Sequence, residues 1–170
     1  MVEDGRKLLG EALELLSQYK LDEAIAKAEE ALKTEMDEEW MEERGQQFPK
    51  PNRSKAFYVI GSARSEKGDK RGAIEMLGKA LELIPDDPIC FSNRAVAKRD
   101  LGDEEGALAD FSRALELSPR YAHARANRAR LYAKRGEKAK ALADYELLLQ
   151  VADTPEHRAE CDAVRASCSG

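Results

Sequence analysis

Glycines recur at Gly68, Gly102 and Gly136, 34 residues apart each time, and alanines keep step at Ala73, Ala107 and Ala141. A period of that length is the mark of stacked helical hairpins, each too small to bury its own apolar face. Such an array acts by offering a surface, so the functional question is which partner it holds rather than which reaction it runs.

With the glycines in register, residues 54–87, 88–121 and 122–155 align without gaps. Gly61, Ala95 and Ala129 share one small-residue position, which lets antiparallel helices approach closely. Leu77, Phe111 and Tyr145 share a large one, which fills the space toward the next unit. Each turn glycine suits the left-handed conformation that ends a helix. Pro85 and Pro119 close the first two units, because proline lacks a backbone donor and disfavours helix before it.

The run Phe91-Ser92-Asn93-Arg94-Ala95, then Leu101-Gly102-Asp103, Ala107, Phe111, Ala114-Leu115-Glu116-Leu117 and Pro119 resembles a tetratricopeptide repeat. Residues 54–87 resemble it nearly as well, and 122–155 resemble it as far as Tyr145. The resemblance implies an all-α fold, a right-handed superhelical stack of antiparallel helix pairs. A divergent fourth copy is expected at 5–38, from Leu21-Asp22-Glu23-Ala24-Ile25, Ala28 and Ala31-Leu32, with Tyr19 where the turn glycine belongs. Between it and Ser54 lie 15 extra residues. Ile25, Ala28, Leu32, Met36 and Trp40 keep helical spacing, so the helix is expected to run on to about Arg44, with a loop at Phe48–Asn52. Thr154-Pro155-Glu156 is a helix-start signal, and a final helix over 156–168 would cap the stack. The whole chain, 1–170, reads as one such domain, with the insertion at 39–53.

In this family the first helices of successive units line a concave groove that binds peptides. Carried onto this chain, the groove falls on Lys55, Tyr58 and Ser62, then Asn93 and Arg99, then His123, Asn127, Arg130 and Lys134. Asn93 and Asn127 are 34 apart, and an amide that donates and accepts suits an extended peptide backbone. The implied reading is a protein–protein scaffold or adaptor that binds an extended segment of another protein, with Lys55, Arg99, Arg130 and Lys134 attracting an acidic one. Family members that grip acidic chaperone tails use a carboxylate clamp, and here only Asn93 matches it. Tyr58, Ser62, His123 and Asn127 stand at its other positions. A co-chaperone-like binder of acidic tails is therefore one alternative. A homodimer through Trp40, Met41 and Phe48 is another, since exposed aromatics mark interfaces.

Composition narrows the rest. Charged residues make up 36% and aromatic ones 6%, which suits amphipathic helices rather than strands. The net charge of −5 is uneven: residues 1–53 carry −6 and residues 122–155 carry +3. The basic run Arg125, Arg128, Arg130, Lys134, Arg135, Lys138 and Lys140 reads as a solvated helix face, with an acidic tail or RNA as the functional alternatives. Nucleic acid is the weaker, given the negative total and the missing stacking motifs. Neither a secretory h-region nor a run of roughly 20 apolar residues is present, and three cysteines fit a reducing, cytoplasmic setting. His123 and His157 form no metal-ligand spacing, and no phosphate loop or nucleophile motif occurs. No enzyme activity, cofactor or metal is expected.

Overall fold

The computed structural model describes residues 2–34 and 50–168, all helix and turn. Nine helices run among the described residues. They are α1 (Val2–Ser17), α2 (Leu21–Thr34), α3 (Lys50–Glu66), α4 (Lys70–Leu83), α5 (Pro88–Asp100), α6 (Glu104–Leu117), α7 (Ala122–Lys134), α8 (Lys138–Leu149) and α9 (Pro155–Cys168). Each odd helix packs on the even helix that follows it, and each even helix packs on the next odd one. The odd helices also touch in series, α1 to α3, α3 to α5 and α5 to α7, whereas the even helices do not approach to that degree. The stack therefore curves with the first helix of every pair on its inner side. Trp40, Met41 and Phe48, and the expected run-on to Arg44, lie outside the described residues.

The large residue of each unit is fully enclosed: Leu77 and Phe111 are 0% exposed and Tyr145 is 2%. Around them sit alanines together with Leu81, Leu115, Leu131 and Leu148, so each unit seats its large residue in a closely packed mix of small and branched side chains. Gly61 shows how close the backbones come. A Cβ there would lie 2.8 Å from Leu77 Cγ and 3.2 Å from Ala73 O, which only glycine avoids.

The turns repeat as well. Gly102 and Gly136 have φ of 87° and 76°, and each helix end is closed by a pair of backbone bonds. Gly102 N–H donates to Arg99 O and Asp103 N–H to Lys98 O; Gly136 N–H donates to Ala133 O and Glu137 N–H to Tyr132 O. Tyr19 makes the same turn without glycine. Its φ is 62°, its N–H donates to Leu16 O, and Lys20 N–H donates to Leu15 O. The left-handed backbone costs a residue with a Cβ roughly 1 kcal/mol. Tyr19 Oη donates to Glu66 Oε2 at 2.6 Å, an exposed bond that offsets little of this. Tyr19→Gly is accordingly expected to raise the thermal midpoint by roughly 2–4 °C in a chain of this size. A lowered midpoint would mean that the Glu66 contact outweighs the backbone cost, and Tyr19→Phe measures that contact alone.

One sequence expectation needs correcting. Lys50–Asn52 is not loop but the first turn of α3, and Pro51 sits where no backbone N–H is required. At the other end α9 begins at Pro155, where His157 N–H donates to Thr154 Oγ1 at 3.2 Å.

Candidate binding groove

The inner faces of α3, α5 and α7 bring the sequence-derived residues into one strip. Positions three and four apart on a helix share a face, which aligns Lys55, Tyr58 and Ser62 on α3. The same spacing aligns His123, Asn127, Arg130 and Lys134 on α7, while on α5 Arg99, six residues from Asn93, joins the strip through its bond to Asn127. Cross-helix bonds tie the strip together. Asn93 Nδ2 donates to Ser62 Oγ at 3.2 Å, and Ser92 Oγ lies 3.2 Å from His123 Nδ1. Asn127 Nδ2 donates to His123 O at 2.9 Å and lies 3.3 Å from His123 Nε2. With the amide as donor, Nε2 accepts and Nδ1 carries the proton toward Ser92. Desolvation first, then the Arg130 and Arg99 guanidiniums, hold the His123 pKa below its ordinary value, so the ring is neutral at pH 7.

The two matched asparagines are not equivalent. Asn127 is buried, and its Oδ1 accepts from Arg99 Nη1 at 2.7 Å. The residue that stands to Asn93 as Arg99 stands to Asn127 is Ser65, which is too short to reach across. An open cavity of about 130 Å³ remains there, lined by Ser62, Ser65, Glu66, Asn93, Val96 and His123. Asn93 lines it, and its Oδ1 has no protein partner among the described residues.

Charge along the strip is mostly neutralised from within. Arg99 also donates to Asp100, whose Oδ2 lies 2.9 Å from Lys70 Nζ. Desolvation pushes the Asp100 pKa up, but Lys70 and Arg99 together hold it below the usual carboxylate value. Arg130 reaches Glu160 at 2.7 Å and Glu156 at 3.0 Å, both on α9, and Lys134 pairs with Glu104 at 2.7 Å. Sequence reasoning did not anticipate that α9 closes this end of the groove. Lys55 is exposed and has no ionic partner among the described residues.

The reading of the basic run as a solvated face also needs correcting. Arg125 is 8% exposed and, with Arg128, holds Asp144, which is 4% exposed. Arg135 pairs with Glu105 and Glu137, and Lys140 with Glu137. The signal was present: Arg94 and Arg128, like Asp110 and Asp144, recur at the 34-residue period. Among the described residues no helix is long and apolar enough to cross a membrane. No three His, Cys, Asp or Glu side chains there gather as a metal site.

The tetratricopeptide repeat family model matches residues 54–87 and 90–121. No curated protein sequence matches the chain. Among solved structures, MamA superposes with a TM-score of 0.75 at 19% identity, over 93% of this chain and 84% of that one. A thermophilic tetratricopeptide-repeat protein of Thermus thermophilus gives 0.68 at 23%, over 96% and 82%. The first such domain of Spaghetti, bound to the HSP90 peptide SRMEEVD, gives 0.66 at 22%, over 69% and 94%. These likenesses establish the fold, a solenoid of paired helices.

Proposed function

We propose that this chain, a tetratricopeptide-repeat protein, is an interaction scaffold that binds an extended peptide segment along the inner face of α3, α5 and α7. The observation that carries the reading is the open cavity at Asn93. There a half-buried amide presents an acceptor to the groove, beside a neutral imidazole and two serine hydroxyls. An extended backbone offers alternating N–H and C=O groups, and this cluster can answer both. Asn127 shapes the strip rather than touching the ligand, because Arg99 and His123 already occupy its amide.

An acidic C-terminal tail, like the HSP90 peptide held by the Spaghetti domain, is the weaker occupant. Arg99, Arg130 and Lys134 are spoken for by carboxylates of this chain, and Tyr58 and His123 supply no fixed positive charge.

The test is selection of binders from a random dodecapeptide display library, followed by titration of the selected peptides against Asn93→Ala. Losing one or two buried hydrogen bonds is expected to weaken them about tenfold. Helicity should be unchanged, since Asn93 makes no helix-end or core contact. Unaltered affinity across the selected peptides would refute the groove. Arg130 is unsuitable for this purpose, because its substitution also removes the ion pairs to Glu156 and Glu160 of α9.

A further inference from the structure

A second cavity opens in the same groove, between the N-terminal halves of α3 and α5. It measures about 170 Å³ and is lined by Ser54, Lys55, Tyr58, Ile84, Asp87 and Ile89. Its walls are the Tyr58 ring and two isoleucines, and Ile89 is left 45% exposed. The polar members are largely committed elsewhere. Ser54 Oγ donates to Ala80 O at 3.1 Å. Asp87 Oδ1 accepts the backbone N–H groups of Ile89 and Cys90, at 2.8 and 3.1 Å, and its Oδ2 lies 3.3 Å from Cys90 Sγ. That carboxylate thus serves the N-terminus of α5, where negative charge is favoured. Lys55 alone in the lining holds a charge with no partner among the described residues, in contrast to Arg99, Arg130 and Lys134 further along.

An apolar cavity of about 150 Å³ is large enough to hold benzene. The slot therefore has room for one aromatic ring, and the ammonium at its lip favours a carboxylate beside that ring. We propose that the slot receives the phenyl ring of an aromatic residue flanked by an acidic residue, within the partner's extended segment. The ring packs between Tyr58 and Ile89, and the acidic side chain accepts from Lys55 Nζ. The proposal rests on the groove reading above and adds the chemistry of what the groove selects.

The probe is the N-acetylated, C-amidated peptide Gly-Ser-Asp-Phe-Ser-Gly, titrated into isotope-labelled protein and followed by backbone amide NMR. Amidation removes the terminal carboxylate, so the Asp side chain is the peptide's only acid. Signals of Tyr58, Ile84 and Ile89 are expected to move. Lys55→Glu in the protein, or Asn for Asp in the peptide, should raise the dissociation constant about tenfold. Ile89→Ser, at an exposed site, should weaken binding similarly and leave the thermal midpoint unchanged. Shifts at Ser62, Asn93 and His123 without shifts at the slot would overturn this inference and leave the groove reading standing. Shifts in neither place would count against both. Slot signals that change with protein concentration alone would show a second copy as the occupant, which also overturns it.

Discussion

Asp110→Ala is expected to lower the free energy of unfolding by about 3 kcal/mol, because it strands the largely buried Arg94 guanidinium without its acid. Asp110 is 5% exposed, and its two oxygens accept from Arg94 Nε and Nη2, both at 2.8 Å. Lys98 Nζ lies 2.8 Å from the same carboxylate. Removing the acid leaves the largely buried Arg94 guanidinium unanswered, which costs far more than the intact pair contributes. The chain carries its own control. The positions that hold Arg94 and Asp110 hold Ile60 and Met76 one unit earlier, both buried in one apolar cluster. Arg94→Ile with Asp110→Met transplants that solution, and its stability should fall within about 1 kcal/mol of the wild type. Lys98 can turn its ammonium to water along its flexible stem. Urea denaturation of the single and double variants decides the matter. A loss below about 1 kcal/mol for Asp110→Ala would mean that water already screens the pair.

These pairs also mark the limit of what the sequence discloses. The period at Gly68, Gly102 and Gly136 is local: a backbone torsion must be positive, and glycine is the cheap way to reach it. The core row of Leu77, Phe111 and Tyr145 follows from the same register, since burial depends on which face a residue occupies. Arg94 and Asp110 are 16 residues apart and meet only when α5 folds back on α6, so no helical spacing announces them. Their repetition as Arg128 and Asp144 does, once the period is used to compare charges as well as glycines. Asn93 and Asn127 mislead in the opposite direction. They match in register, yet their surroundings are set by Ser65 and Arg99 on the preceding helices, and one remains open while the other is locked. Tyr19 is a third kind of case. Its turn survives without glycine because the tertiary packing of α1 on α2 outweighs a local backbone preference of roughly 1 kcal/mol. Register thus predicts architecture well and ligand contacts poorly, because contacts depend on neighbours that vary from unit to unit.

Phe111→Ala is expected to cost about 3–5 kcal/mol, at the upper end for a core truncation. The ring is 0% exposed and clusters with Ala95 of α5, Ala107, Ala114 and Leu115 of α6, and Ala124 and Leu131 of α7, with Phe91, Val96, Leu108 and Tyr121 packed around them. Four of its six buried neighbours are alanines, which have no reach with which to fill the void, and only Leu115 and Leu131 can move part-way into it. A cavity that collapses only in part keeps most of the penalty. The position matters as much as the size. Each unit of a repeat array is stabilised chiefly by its neighbours, and Phe111 sits where the N-terminal and C-terminal units are coupled. Urea unfolding should therefore lose its single steep transition, and the slope should fall as the two halves separate. The groove should suffer with it. The Ser92–His123 and Arg99–Asn127 bonds both span α5 to α7, the interface that Phe111 holds at a fixed distance. Phe111→Leu keeps most of the volume and should restore both the slope and the affinity for groove-selected peptides. A Phe111→Ala protein that unfolds in one steep step, within about 1 kcal/mol of the wild type, would show that the units are coupled elsewhere.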